Sequence, residues 1–166
     1  MRWRHAQAVA VRAEEAAVVV PGDADLLIAA AWLHDVGYAP TIARSSFHPL
    51  DGARYLRDLG AGQRLCGLVA HHSGAVIEAK LRGLDEILIG EFPQEHSLVA
   101  DALWYADLTT GPGGQVLTVE ERLAEIAERY GPEDVVTQFV ELARPELFAA
   151  VRRTEARLAQ AAAQSR

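Results

Sequence analysis

The sequence predicts an all-α fold. Apolar residues recur at helical spacing in one segment after another, and Gly or Pro residues separate these segments. No segment alternates apolar and polar residues for long enough to predict a β-strand. Half of the 166 residues are hydrophobic, so the chain can bury the core of one ordinary domain. We therefore expect a compact multi-helix bundle that forms a single domain over residues 1–166.

The first helix is predicted from an inward stripe that includes Val9, Ala13 and Ala16. His5 lies one turn earlier on the same face, so its imidazole is expected to point toward the core. After a Pro-Gly turn, Asp23 is a suitable N-cap for the second helix.

The second helix carries an unusual end. Residues 26–33 are apolar on every side, which is typical of a helix in the middle of a domain. His34 and Asp35 follow directly, and Gly37 then turns the chain. A buried carboxylate without a partner costs on the order of several kcal/mol, so we expect another group to compensate Asp35.

The third helix is predicted to begin at His48 and to end at Gly60. Its inward residues are predicted to be Leu50, Ala53, Leu56 and Leu59. The fourth helix is predicted over residues 63–72, which places the neighbouring histidines His71 and His72 at its end.

A further helix is predicted between a Ser97 cap and Leu108. Its charged residues, Asp101 and Asp107, are six positions apart, which corresponds to about 240° around a helix. They should lie on different sides, so that one metal centre would not easily recruit both.

The C-terminal helices are expected over about residues 118–163. Thr118 and Glu121 form a capping box for the first of them, and Pro132 and Pro145 are each expected to start another helix. Because these segments carry apolar stripes and no cluster of catalytic residue types, we expect them to cover the core or to form a partner surface.

Composition restricts the chemistry. The single cysteine, Cys66, excludes an intrachain disulfide and a thiolate-rich zinc site, so any metal must be held by nitrogen and oxygen atoms. The net charge of −7 argues against nucleic-acid binding. No apolar stretch is long enough to span a membrane, and Arg12, Glu14 and Glu15 interrupt a signal-like start. We expect a soluble cytoplasmic protein that has no membrane partners and that can form a homo-oligomer.

The histidines suggest what compensates Asp35. Of the six in the sequence, only His96 has no link to the other candidate residues. The others occupy helix ends or inward faces: His5, His34, His48, His71 and His72. A single inward histidine is usually a hydrogen-bonded core residue. Here, however, four separate helices each direct His or Asp toward one apolar centre, and imidazole with carboxylate is the usual ligand set for Zn, Fe, Mn, Co or Ni. We therefore expect one or two such divalent metal ions.

This order of residues resembles the HD-domain superfamily of metal-dependent phosphohydrolases, which have an all-helical fold. The matching positions are His5, the pair His34-Asp35 within Trp-Leu-His-Asp-Val-Gly-Tyr, and Asp107 within Tyr-Ala-Asp-Leu. The resemblance covers roughly residues 3–114. It implies an HD-domain bundle with its metal-site core in about residues 1–114.

The resemblance also implies roles for individual residues. The first metal would be held by His5, His34, Asp35 and Asp107. In binuclear members further ligands would correspond to His48 and to one histidine of the pair His71-His72, with Asp35 as the bridge. Asp35 and His72 are also the candidate catalytic residues.

The sequence does not decide which histidine of the pair His71-His72 is the metal ligand. Helical phase groups His72 with Leu68 and Val69, whereas the spacing to Gly74 resembles members that use His71.

The candidate substrate-binding residues are Arg4, Lys80 and Thr110, with Arg44, Arg54 and Thr109 as further possibilities.

The resemblance implies a hydrolase that acts on a nucleotide or another small phosphoester through metal-activated water. Cyclic-di-GMP phosphodiesterases of this superfamily carry a Glu after the double histidine, and this Glu is missing here. Alarmone hydrolases carry Glu-Asp shortly after the His-Asp pair, and this motif is missing as well. Neither activity is therefore favoured. The alternative to a hydrolase is an oxygenase, because a branch of this superfamily uses the same ligand pattern to bind two irons and activate oxygen. A non-catalytic metal- or nucleotide-binding protein is the third.

Overall fold

The computed structural model describes residues 2–164, which confirm the predicted all-α fold. The helices within this range are α1 Arg2–Ala16, α2 Ala24–Leu33, α3 His48–Asp58, α4 Gln63–Ala70, α5 Ala75–Arg82, α6 Asp85–Glu91, α7 Leu98–Leu108, α8 Val119–Tyr130 and α9 Val135–Gln164. Short 3₁₀ turns cover Ala17–Val19, Pro21–Asp23, Val36–Tyr38 and His72–Gly74. Extended pairing within the described range is limited to an isolated bridge between Thr110 and Val116.

Two hydrophobic cores organise the helices. The larger core joins α1, α2, α7, α8 and α9. The smaller core joins α3 to α6. His34 and Asp35 follow directly after α2, which packs against α1 and α7 of the larger core and α4 of the smaller one. Side chains from both cores can therefore meet at this point.

The predicted face of α1 is buried, since Val9, Ala13 and Ala16 are completely inaccessible. The expectation that α2 is buried on every side is wrong. Its buried residues are Leu27, Ala30 and Ala31. Trp32 is 38% exposed and packs on Trp3 of α1 with a centroid distance of 5.7 Å, so this surface is covered by another aromatic ring rather than by the core.

Two of the three predicted N-terminal helix caps are confirmed. Ser97 accepts a hydrogen bond from the Ala100 amide at the start of α7. Thr118 and Glu121 form the complete capping box of α8. Asp23 occupies the N-cap position of α2 but makes no side-chain cap, because its carboxylate pairs with Arg64 at 2.8 Å instead.

The two aspartates of α7 lie on different sides, as predicted. Asp101 pairs with Arg153 of α9 at 2.6 Å. Asp107 is buried beside His5 of α1, with a distance of 3.0 Å between the carboxylate and imidazole atoms.

The prediction that Leu59 faces the core is wrong. It is 66% exposed, because α3 ends at Asp58 and Leu59 is the C-cap residue, beyond the last inward turn. The fourth helix also ends earlier than predicted. It stops at Ala70, so His71 is its C-cap and His72 belongs to the following 3₁₀ turn.

The predicted helix starts at Pro132 and Pro145 are wrong. Pro132 lies before α9, and Pro145 lies inside this single 30-residue helix. An interior proline costs about 3 kcal/mol because it removes one helical hydrogen bond. Pro145 and Glu141, whose carbonyl loses its partner, are both exposed, so water can satisfy that carbonyl. Buried residues on both sides of Pro145 hold the helix against α7 and α8: Val140, Ala143, Leu147, Ala150 and Val151.

None of the helices in the described range is both long enough and apolar enough to cross a membrane.

Candidate metal centre

The structure brings five of the candidate side chains together. His5, His34 and Asp35 form one group whose possible ligand atoms lie within 4.8 Å of one another, and Asp35, His48 and His72 form a second. Asp35 is common to both. The arrangement therefore consists of two adjoining groups that share one carboxylate.

His34 has an unused nitrogen at the centre of this arrangement. Its side chain is buried, and its Nδ1 atom lies 2.7 Å from the Ala31 carbonyl. Since a carbonyl can only accept, Nδ1 carries the proton and Nε2 presents a lone pair. Nε2 has no hydrogen-bond partner among the described residues, and it lies 3.6 Å from Asp35 Oδ1 and 3.8 Å from Asp107 Oδ1.

His5 joins α1 to the end of α7. Its Nδ1 atom lies 3.1 Å from the Gly111 carbonyl, and its Nε2 atom lies 3.0 Å from Asp107 Oδ1. Both ring nitrogens therefore face acceptors, which a neutral imidazole with one proton cannot satisfy alone. Either a second proton or a metal ion between nitrogen and carboxylate meets this demand.

His48 and His72 meet on the other side of Asp35. The Nδ1 atom of His72 donates to the Val69 carbonyl over 2.7 Å, so its Nε2 atom presents a lone pair. The Nε2 atom of His48 lies 3.2 Å from that atom and 3.4 Å from Asp35 Oδ1. Three ligand-type atoms from three different segments thus point at one another.

Gly37 allows the third helix to approach this point. A Cβ atom on Gly37 would lie 2.0 Å from the His48 carbonyl oxygen and 2.6 Å from the Gly52 nitrogen, far inside van der Waals contact. Only glycine permits the backbone after the His34-Asp35 pair to touch the first turn of α3. The contact brings the first turn of α3, which carries His48, against the segment that follows Asp35.

Ser73 orients Asp107 from an unfavourable backbone conformation. Its Oγ atom donates to Asp107 Oδ2 over 2.6 Å. Its φ and ψ angles of 48° and 40° are left-handed, which is uncommon for a residue with a side chain. Such strain persists where the surrounding structure enforces it, often at functional sites.

Burial and charge set the protonation of the cluster. Burial acts to raise the pKa of Asp35 and Asp107, but the neighbouring histidines outweigh it and both carboxyl pKa values are lowered. Burial lowers the pKa of His48 and His72, so both are neutral near pH 7. Burial opposes protonation of His5 as well, but its hydrogen bond and charge interaction with Asp107 raise its pKa.

This donor set fits a divalent transition-metal ion. Metal binding needs ionised carboxylates and imidazoles with a free lone pair, and metal-binding histidines usually donate their other N–H to a carbonyl or carboxylate. His5, His34 and His72 each place Nδ1 on a backbone carbonyl and Nε2 in the cluster. The buried Nε2 atom of His34 is the clearest indication, because its burial costs free energy unless it binds something.

The family model described as HD domain matches residues 2–133. The chain belongs to the HD-domain family. No curated protein and no solved structure shows significant similarity to it. The matched range includes α1, α2 and α7, which carry the His, His-Asp and Asp positions, and it extends through α8. The His34-Asp35 pair of this HD-domain protein is therefore the centre of the cluster described above.

Of the neighbouring histidines His71 and His72, only His72 lies in the cluster. His71 is buried at the other side of the turn, where its Nε2 atom donates to the Phe92 carbonyl over 2.7 Å. Burial lowers its pKa. His71 thus connects the end of α4 to the segment after α6.

The predicted substrate-binding residues lie elsewhere. Arg4 and Lys80 are exposed and belong to the outer faces of α1 and α5. Thr110 is buried, and its hydroxyl donates to the Ala106 carbonyl one turn earlier. Thr109 does the same with Tyr105, so both threonines satisfy the end of α7. Arg54 pairs with Glu91, and Arg44 bonds carbonyls of its own loop.

Sequence reasoning missed four residues around the cluster: Arg2, Tyr38, Ser73 and Arg122. The ring of Tyr38 stacks on His48 at 3.8 Å, and the guanidinium of Arg2 lies 3.2 Å from the centre of the Tyr38 ring. Arg2 is one turn before His5, which was a usable signal. Arg122 was detectable because it falls on the inward face of α8, between Val119 and Ile126.

A cavity of about 100 Å³ opens beside the cluster. His5, Asp35, His48, His72 and Asp107 line one side of it. The other side comes from α8 and α9 and is mainly apolar, with Leu123, Ile126, Phe139, Val140 and Leu147. The C-terminal helices cover the core, as one of the two predicted roles has it, and they also line this cavity, which the sequence did not predict.

Proposed function

We propose that this HD-domain protein is a metal-dependent phosphohydrolase that acts on a small phosphorylated molecule. The observation that carries the proposal is the unpartnered Nε2 atom of His34 beside Asp35, the carboxylate that belongs to both groups of ligand-type atoms. A divalent ion of Fe, Mn, Zn, Co or Ni would satisfy both residues.

One ion would be held by His5, His34, Asp35 and Asp107, and a second by Asp35, His48 and His72. When bound, such an ion lowers the pKa of a coordinated water and so supplies a nucleophile near neutral pH.

The residues of the chain would prepare this reaction in three ways. The carbonyls of Ala31, Val69 and Gly111 hold the imidazole rings by their Nδ1 atoms and keep the Nε2 atoms directed at the cluster. Ser73 holds Asp107 through its second oxygen. The Tyr38 ring covers His48, which limits the access of bulk water to that imidazole.

The proposal can be tested on protein purified gently and analysed for metal, then supplied with Mn, Ni, Co or Fe and a panel of nucleotides and phosphoesters. We expect one or two bound ions per chain and release of inorganic phosphate from at least one compound. Absence of turnover with every metal would contradict the hydrolase proposal. A mixed-valent di-iron signal with substrate-dependent oxygen uptake would replace it with the oxygenase alternative, and protein that binds no stoichiometric metal would favour a non-catalytic role.

A further inference from the structure

Three arginines line the open side of the candidate metal centre. Arg2 of α1 and Arg122 and Arg129 of α8 share a cavity of about 160 Å³ with His5 and Asp35. A cavity needs only about 15 Å³ to hold one water, so this one has room for a group of several non-hydrogen atoms.

These arginines are poorly neutralised. Arg122 and Arg129 both donate to the same Oε2 atom of Glu125. Arg2 lies 3.7 Å from Asp35 Oδ2, a carboxylate that it would share with any ion in the metal centre. Three guanidinium groups face only two carboxylates, those of Glu125 and Asp35, so the cavity wall retains a net positive charge in a protein whose net charge is −7.

The Arg122 guanidinium is only partly hydrogen-bonded. Its side chain is only 10% exposed, and its buried Nε–H has no hydrogen-bond partner among the described residues. A buried donor of a charged group is costly to leave unpaired, and a guanidinium presents its N–H groups in a planar fork that matches phosphate oxygens. Arg122 lines the cavity, so an anionic group there would give its guanidinium an acceptor in addition to Glu125.

We infer that Arg122, together with Arg2 and Arg129, forms an anion subsite for the phosphoryl group of a phosphomonoester, next to the metal centre. This inference rests on the proposed function and names its substrate class. A phosphomonoester group is dianionic near neutral pH and presents three terminal oxygens to the three guanidinium groups, whereas a phosphodiester carries one charge and presents two. The subsite takes the role that the sequence assigned to Arg4, Lys80 and Thr110.

The test is the binding of inorganic phosphate to the full-length, metal-containing protein, measured by calorimetry. Arg122→Met retains much of the side-chain volume and removes the fork, so phosphate should bind at least tenfold more weakly. Arg152→Met is the matched control, because Arg152 of α9 is exposed and lies over Phe148. Its phosphate affinity should stay within twofold of the wild type. Metal content is measured for each variant, so that loss of an ion is not mistaken for loss of the subsite.

A second variant tests the sign of the effect. Glu125 competes with the ligand for Arg122 and Arg129, so Glu125→Gln should tighten phosphate binding severalfold. If Arg122→Met does not fold, Arg129→Met carries the same test, since Arg129 is 37% exposed. Equal phosphate affinity in wild type and the arginine variant would overturn the subsite. Dimethyl phosphate, a monoanion, should bind at least tenfold more weakly than phosphate, and equal binding would overturn the monoester assignment.

The outcomes separate the subsite from the hydrolase proposal. Phosphate binding that depends on Arg122, without turnover of any phosphoester, would leave the subsite intact and refute hydrolysis. Turnover with a KM unchanged by Arg122→Met would support hydrolysis and refute the subsite.

Discussion

The Nε2 atoms of His48 and His72 lie 3.2 Å apart, although the two imidazoles come from different segments; His72 is buried and His48 is half-buried beside Asp35. The Nδ1 atom of His72 is engaged by the Val69 carbonyl, so its Nε2 atom offers only a lone pair. His48 can donate one hydrogen bond to it in the absence of an ion. Alternatively, both nitrogens can bind the same ion, in which case neither needs a proton.

His72→Ala and His71→Ala should differ in metal content. His72→Ala removes a nitrogen of the second group, so a protein that holds two ions should lose about half of the bound metal measured by mass spectrometry. His71→Ala should leave the metal content unchanged, because its imidazole bonds the Phe92 carbonyl outside the cluster. Loss of that buried contact should cost about 2 kcal/mol and lower the Tm by roughly 4–8 °C. A metal loss in His71→Ala and not in His72→Ala would reverse the assignment.

Gly37→Ala should disrupt the centre through the backbone. The new Cβ atom would lie 2.0 Å from the His48 carbonyl oxygen, so α3 must move away and carry His48 away from Asp35. We expect a lower Tm and loss of about half the bound metal.

Gly22→Ala is the matched control for this substitution, because a Cβ atom at Gly22 has no described atom within 4 Å. Its Tm and metal content should equal those of the wild type. A Gly37→Ala protein with unchanged metal content would show that the close approach does not position His48.

Much of the fold follows from local sequence signals. The apolar stripe of α1 and the caps at Ser97 and Thr118 are set by residues within a few positions of one another, so periodicity and cap chemistry predict them. Helical phase also grouped His72 with Leu68 and Val69, and His72 does lie in the cluster. The same signals fail at Pro145, where packing on both sides of the proline outweighs its local preference to begin a helix.

The surroundings of the cluster depend on tertiary contacts, which local signals do not contain. Arg122 reaches the cavity only because α8 packs over the end of α7, and an arginine on an otherwise apolar stripe usually extends its charge into water. Arg4 was favoured because it adjoins His5, but adjacent residues on a helix point about 100° apart. Arg2, one turn from His5, faces the cavity instead.

Removal of metal should destabilise the folded protein. A ligand that binds only the folded state contributes about 2.7 kcal/mol at one hundred times its Kd, which corresponds to a Tm change of roughly 5–10 °C for a protein of this size. We therefore expect a chelator to lower the Tm by that amount in a thermal scan. His34→Ala removes the nitrogen that lacks any other described partner, so chelation should change the Tm of this variant much less. If the chelator leaves the Tm of metal-containing wild-type protein unchanged, the ion has no role in stability.

Substitution of Ser73 should separate backbone strain from the positioning of Asp107. Ser73→Ala keeps the strained left-handed backbone and loses the 2.6 Å hydrogen bond to Asp107 Oδ2. Ser73→Gly loses the same bond but relieves the strain, since glycine adopts positive φ angles without steric cost. Both variants should bind metal about 10-fold to 100-fold more weakly, as is typical when a partner of a metal-binding side chain is removed. Only Ser73→Gly should retain or exceed the wild-type Tm when both are compared without metal. Metal affinities close to that of the wild type in both variants would mean that Asp107 is held well enough by His5 alone, and Ser73 would then have no positioning role.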